Sequence, residues 1–187
     1  RDEIIADGYD TVALMGMGGS SLAPELYQVV FGRNNQLQLL VLDSTDPDQV
    51  RRISRQINPK KTMFIVSSKS GGTAEVNAFL AYFWERTRKS VKVDAGKHFA
   101  AITDPGTSLE KTALARNFRK IFFADPTVGG RYSALSIFGL LPAGLIGLDV
   151  NRILQEAEGM LNACKASVPA EQNPGLVLGS MLGQAAL

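Results

Sequence analysis

Apolar runs recur at regular spacing along this chain, with amphipathic stretches between them, and that alternation constrains the fold more than any other feature. The runs are "TVALMGMG" (11–18), "LQLLVLDS" (37–44), "MFIVSSKS" (63–70), "HFAAITD" (98–104) and "KIFFADP" (120–126). Each holds an unbroken apolar core, the pattern of a strand buried on both faces. Residues 22–31, 46–57, 73–88 and 108–117 carry helical spacing instead. Strand and helix alternating on this rhythm predict right-handed crossovers. The fold class is therefore α/β: a doubly wound, three-layer αβα sandwich with a five-stranded parallel sheet. Helix starts are marked by Asp46 with Pro47, and by Thr107 or Ser108 with Glu110 soon after. The stretch "YSALSIFGLLPAGLIGL" (132–148) is apolar nearly all round and predicts a buried helix, bent or ended near Pro142. Residues 151–165 read as an ordinary surface helix.

A chain of 187 residues, 45% hydrophobic and 20% charged, buries one substantial core, so one compact domain over 1–187 is expected, with an α/β core at about 10–148 and helices over 149–187. A formal charge of only +2 leaves no electrostatic footprint for nucleic acid or an anionic membrane, so any anion must be bound locally. Cys164 stands alone, which excludes an internal disulfide and fits a reducing compartment. The start, Arg1-Asp2-Glu3, lacks an apolar signal core, and the longest apolar runs are broken by Gly and Pro short of a membrane span. A soluble cytoplasmic protein is the expectation. The chain opens on Arg1, and its last segment, "PGLVLGSMLGQAAL", is an apolar helix without a stop signal. Both ends suggest a piece of a longer protein.

Ligands of an open parallel sheet bind beyond the carboxyl ends of its strands, and three of those turns are chemically unusual. In "GMGGSSLAPE" (16–25), Gly16, Gly18 and Gly19 permit a tight backbone, and Ser20 and Ser21 supply hydroxyls at a helix start. A dinucleotide fingerprint would need glycine where Ser21 stands, although Asp43 ends the second strand where a ribose-binding carboxylate belongs. In "VSSKSGGTAEV" (66–76), Ser67, Ser68, Ser70 and Thr73 provide hydroxyls, and Gly71 and Gly72 let the backbone fold closely. Helical first-turn N–H groups face the same point, forming an anion nest, and Lys69 adds a mobile positive charge suited to a phosphate monoester. The same residues would also serve simply to cap a helix. No Gly-Lys-Ser/Thr closes the loop, so nucleotide triphosphate hydrolysis is not supported. In "DPTVGGRYSALS" (125–136), Arg131 follows Gly129 and Gly130, where its guanidinium can stabilise an oxyanion.

Together these turns resemble the sugar isomerase (SIS) domain, and more closely the first such domain of the phosphoglucose isomerase family. That family carries a "GIGGS"-like turn, an "SK-x-x-x-T-x-E" phosphate loop and a "VGGR-[YF]-S" segment; here stand "GMGGS", "SKSGGTAE" and "VGGRYS" in the same order. The variant forms look most like the isomerase part of bacterial proteins that fuse transaldolase to the isomerase. The resemblance implies that Ser20, Ser68, Ser70 and Thr73, with Lys69, Gly71, Gly72 and backbone amides, bind the phosphate of glucose 6-phosphate or fructose 6-phosphate. Gly19 and Gly130 would line the substrate crevice. Arg131 would lie beside C1 and C2 and stabilise an enediolate, and Glu75 would support the loop. It also implies a partner: the catalytic base and ring-opening acid would come from a second SIS domain of the same chain or from a neighbouring subunit. The reaction would need no cofactor.

His98, the only histidine, opens the fourth strand at its amino end, on the wrong edge of the sheet for the crevice. Cys164 has no basic or histidine neighbour to make it a nucleophile, and no metal-ligand cluster is visible. Two other readings stay open: a phosphosugar-sensing SIS module without catalysis, and an isomerase of another sugar phosphate. An arginine placed as Arg131 is would have no purpose in a sensor. The apolar segments 137–148 and 175–187 are expected to form a partner surface.

Overall fold

The computed structural model describes residues 1–31, 37–91 and 94–186. They divide into two compact units, Arg1–Leu148 and Asp149–Leu187. The first holds five strands in one all-parallel sheet, β1 (Thr11–Gly16), β2 (Gln38–Leu42), β3 (Thr62–Ser67), β4 (Phe99–Thr103) and β5 (Lys120–Phe123), in the order β2-β1-β3-β4-β5. All five coincide with the expected apolar runs, each ending sooner than the run because its last small or polar residues turn out of the ladder. The helices are α1 (Asp2–Ala6), α2 (Leu22–Phe31), α3 (Pro47–Gln56), α4 (Ala74–Val91), α5 (Ser108–Ala115) and α6 (Ile137–Leu145). Among the described residues no helix is long and apolar enough to cross a membrane.

Strand residues alternate between the two faces. Ala13, Met15, Leu42, Phe64, Val66, Phe99 and Ala101 pack with Ile53 of α3, Val76, Phe79, Leu80 and Phe83 of α4, and Leu109 and Ala113 of α5. At the centre of this face Phe64 is fully buried, with its ring 4.8 Å from Phe99 and 5.4 Å from Phe83. The opposite face carries α2 and α6, which pack on each other. Caps form at the expected helix starts: Asp46 accepts from the N–H groups of Asp48 and Gln49, and of the two candidates Thr107 and Ser108 it is Thr107 that accepts from the N–H of Glu110, while Ser108 begins α5. Pro47 begins α3, where its missing N–H costs nothing.

The segment after β5 departs from expectation. No single helix runs from residue 132; a short 3-10 turn (Gly130–Leu135) comes first, and α6 starts only after Ser136, whose hydroxyl accepts from Phe138 N. Pro142 lies inside α6 rather than ending it; in so short a helix its missing N–H removes one internal hydrogen bond. Nor is the segment buried all round, since Tyr132 is 79% exposed, while Phe138, Pro142, Ala143 and Leu145 are buried. The apolar surface expected over 137–148 is thus largely used up inside the first unit. Exposed apolar residues gather instead on α2, at Leu22, Leu26, Val29, Val30 and Phe31.

The second unit consists of α7 (Val150–Ala163), a 3-10 turn (Ala170–Gln172) and α8 (Pro174–Ala185). Asn173 is its buried organiser: its side-chain oxygen caps α8 by accepting from Gly175 N and Leu176 N, and its amide donates to Lys165 O. Leu176, Leu178, Met181 and Leu182 are exposed on α8, as the sequence predicts for 175–187, of which residue 187 lies outside the described residues.

Two consequences can be measured. Phe64→Ala empties the aromatic centre and should lower stability by about 3–5 kcal/mol, read from the denaturant midpoint. His98, at the amino edge of the sheet, packs edge-on against Tyr9, and its Nδ1 is buried without a partner. Burial holds its pKa below the usual imidazole value, against the opposing effect of a bond to the Thr62 backbone. The unfolded chain, with a histidine pKa of about 6.5, therefore binds the proton more readily than the folded one. This residue costs the fold nothing well above that pH and destabilises it as pH falls through that value toward the lower folded pKa. His98→Phe should remove that part of the acid sensitivity, so the stability difference between wild type and variant should change between about pH 7 and 5; a pH-independent difference would refute the assignment.

Candidate active site

The chain reverses its winding direction at the middle of the sheet. From β1 it goes outward through α2 to β2; it then returns past β1 through α3 to β3 and continues outward through α4 and α5 to β5. The turns leaving the adjacent strands β1 and β3 therefore diverge to opposite faces, and a crevice opens between them, the usual ligand position in this topology. Gly16 and Ser67 are register partners at the mouth of that crevice. The two turns flagged by the sequence start there.

After β1, Gly18 takes φ +54 and leads into a 3-10 turn (Gly18–Ser20). Ser21 turns inward and donates to Gly18 O at 3.1 Å. Ser20 is buried, and its hydroxyl makes no hydrogen bond among the described residues. Asp43, the candidate ribose ligand of a dinucleotide site, accepts from Gln49 Nε2 at 3.0 Å.

After β3, Ser68 N continues the ladder by donating to Ile102 O, and its hydroxyl meets that of Thr73 at 2.9 Å. The Ser70 hydroxyl accepts from Gly72 N at 3.3 Å. Gly71 holds φ +68, and a Cβ there would lie 2.7 Å from that of Thr107, so only glycine fits. Ser108 Oγ donates to Gly71 O at 2.7 Å, clamping the loop to the start of α5. Thr73 immediately precedes α4, whose first N–H groups have no helical acceptors and face the loop with the positive end of the helix dipole. Ser67, completely buried, has an unpartnered hydroxyl. Glu75, in the first turn of α4, is half-buried and makes no side-chain hydrogen bond among the described residues.

Lys69 differs from expectation, because its charge is held in place. Nζ lies 2.7 Å from Asp104 Oδ2 and donates also to the carbonyl oxygens of Asp125 and Pro126. An ammonium has three donors, and all three are occupied.

The third turn reaches the first. Gly130 lies so close against Gly19 that a Cβ on Gly19 would strike the Gly130 carbonyl oxygen. Ser133 Oγ is hydrogen-bonded to Gly19 O at 2.9 Å and Gly130 O at 2.6 Å, and Tyr27 of α2 donates to Ala134 O. Arg131, beside this junction, is exposed and its side chain makes no hydrogen bond or ion pair among the described residues. The structure thus brings Gly19, Ser20, Gly130 and Arg131 to one side of the crevice, and Ser68, Ser70, Gly71, Gly72, Thr73 and Glu75 to the other. His98 lies at the opposite end of the strands, and Cys164 belongs to the second unit. Asp104 and Ser133 escape the sequence reading, although an acid ending the fourth apolar run is a visible signal. Among the described residues no cluster of His, Cys, Asp and Glu could hold a metal ion.

A cavity of about 330 Å³ opens elsewhere, on the α6 side of the sheet near Met63, Ile65, Phe122 and Leu145. It carries no hydroxyl group and lies on a sheet face, so it is not this site. The turns after β1 and β3 offer neutral donors for an anion, and the exposed Arg131 directly follows Gly130.

Comparison with known proteins follows the same lines. The family model for phosphoglucose isomerase matches residues 6–185. Glucose-6-phosphate isomerase of Thermus thermophilus is 35% identical over 144 residues, covering 77% of this chain and 34% of that protein. Its counterpart in Citrifermentans bemidjiense is 34% identical over 177 residues, covering 91% of this chain and 32% of the relative. A hypothetical protein, also of Thermus thermophilus, superposes with a TM-score of 0.86 at 31% identity, covering 98% of this chain and 45% of that one. A Chlamydia trachomatis glucose-6-phosphate isomerase shares the fold, with a TM-score of 0.76 at 24% identity over 87% of this chain and 31% of that one. The chain spans about a third of the length of the curated relatives it matches. With a match running from residue 6 to residue 185, the chain belongs to the phosphoglucose isomerase family.

Proposed function

We propose that this chain is the phosphosugar-binding SIS domain of an aldose-ketose isomerase that interconverts glucose 6-phosphate and fructose 6-phosphate. The observation that supports the reading is the close packing of Gly130 on Gly19, which ties the segment bearing Arg131 to the turn after β1, whose strand neighbours the one that ends in the serine loop. Relatives that bear the name glucose-6-phosphate isomerase support the choice of substrate.

In this reading the sugar phosphate enters with its phosphate against Ser20, Ser68, Ser70 and Thr73, where hydroxyls and the α4 dipole receive it. That anchor sets C1 and C2 toward Arg131. Moving a proton from C2 to C1, while a second proton passes from the C2 hydroxyl to O1, goes through an enediolate, whose developing negative charge the guanidinium stabilises. The sugar is oxidised at C2 and reduced at C1, so the electron balance closes within the substrate. Glu75 supports the loop at the start of α4. The base and the ring-opening acid come from a second SIS domain of the same chain or from a neighbouring subunit, which leaves this portion inactive by itself. Residues 10–148 form the domain core, and 149–187 lead toward that second domain.

The test is a coupled assay of fructose 6-phosphate conversion on the full natural chain. Arg131→Ala should lower kcat about 10²-fold with little change in KM, as for loss of a donor to a developing oxyanion. Ser68→Ala with Thr73→Val should raise KM about tenfold and spare kcat more, as for loss of binding shared by ground and transition states. A folded full chain that binds fructose 6-phosphate and never turns it over would leave a sensor in place of an enzyme.

A further inference from the structure

β5 is the outermost strand, and β3 and β4 separate it from β1, yet the segment that leaves β5 lands on the β1 turn. At about 4.8 Å per strand the distance to cross is roughly 14 Å. The stretch from Ala124 to Gly130 reaches about 20 Å when fully extended, and part of that is taken up locally. Val128 N donates to Asp125 O, and Asp125 Oδ1 accepts from both the backbone N–H and the hydroxyl of Thr127. Little slack remains, so where the segment starts decides where Arg131 ends.

The start is held by Lys69. Ala124 N makes the last ladder bond, to Thr103 O, and the next two carbonyls, of Asp125 and Pro126, accept from Lys69 Nζ. Lys69 is itself fixed twice to the end of β4: its ammonium pairs with Asp104, and its carbonyl accepts from Asp104 N and Thr103 Oγ1. The pair is largely buried, with side chains 26% and 17% exposed, and Asp104 Oδ1 has no partner of its own. Removing the lysine would leave that carboxylate uncompensated and release both carbonyls.

We propose that Lys69 is a positioning residue, which through Asp104 straps segment 124–136 across the carboxyl edge and so presents Arg131 to the substrate. It does not act as a phosphate ligand. The catalytic part of this proposal rests on the isomerase reading above; the strap itself does not.

The experiment takes the full natural chain with Lys69→Met, and with the isosteric Asp104→Asn, which carries the same test should the first variant fail to fold. Three quantities are read: amide hydrogen exchange across 124–136, affinity for inorganic phosphate, and isomerase kinetics. The strap predicts exchange in that segment faster by about tenfold or more in Lys69→Met, as for a locally opened element, with a smaller change in the same direction in Asp104→Asn. It also predicts a kcat about tenfold lower and phosphate affinity within about twofold of wild type. Unchanged exchange in the segment would overturn the strap, and phosphate affinity lost in Lys69→Met but kept in Asp104→Asn would overturn it and make Lys69 a direct ligand. A wild-type chain without isomerase activity would defeat the functional reading alone, since exchange and phosphate affinity would still decide the strap.

Discussion

Parallel strands cannot be joined by a tight hairpin, so each strand here must be followed by a helix that returns the chain to the sheet's amino edge, always with the same hand. Given that hand, moving outward to β2 puts α2 on one face, and moving the other way puts α3, α4 and α5 on the opposite face. A single reversal, between β1 and β3, is enough to open a crevice at the carboxyl edge. Everything assigned to the site depends on it. Register pairing of Gly16 with Ser67 places the two turns side by side, and burial of both faces keeps the strands too rigid to close the gap. Phe64, Phe99 and Phe83 fill the α4 side of the sheet.

Two close approaches then convert an open edge into a shaped site. Gly71 must have a positive φ and must admit Thr107, so the serine loop is tied to the start of α5. Gly19 must admit the Gly130 carbonyl, so the segment after β5 is tied to the turn after β1. Each contact is backbone packed against backbone or a short side chain, which is stiffer than contact between long side chains. Under the proposed reading, positions fixed in this way suit hydroxyls and a guanidinium that meet a small substrate without prior rearrangement.

The sheet is legible in the sequence because strands buried on both faces leave continuous apolar runs, and each of the five runs is a strand. The helix starts at Asp46 and at Thr107 or Ser108 are legible because a short side-chain acceptor before an amphipathic stretch has one principal use, and the structure chooses Thr107 of the latter two. The segment after β5 is not. Its apolar composition suggests a long helix, but the Ser133 hydroxyl is committed to Gly19 and Gly130, and that tertiary bond holds residues 130–135 in a tight turn before Ser136 starts α6. The exposed stripe on α2 is hidden for a related reason: Ala23 and Tyr27 face inward, and periodicity does not reveal which side of a largely apolar helix the sheet will choose. Lys69 reads as a mobile charge because Asp104 lies 35 residues away in sequence, and only the pairing of β3 with β4 makes them neighbours.

That pairing changes the electrostatics of the site. With a net formal charge of +2, the chain provides no long-range field for an anion, and the lysine nearest the serine loop is neutralised by Asp104 at 2.7 Å. Under the proposed reading the phosphate is held by hydroxyls, by backbone N–H groups and by the amino end of α4, all of them uncharged donors. Such donors need no counterion to be displaced and do not titrate near neutrality, so they hold the phosphate in one place without attracting anions indiscriminately. The guanidinium of Arg131 is then free of the phosphate. It can be reserved for charge that appears only as the reaction proceeds, which is the condition under which a fixed positive group accelerates a reaction instead of merely tightening binding.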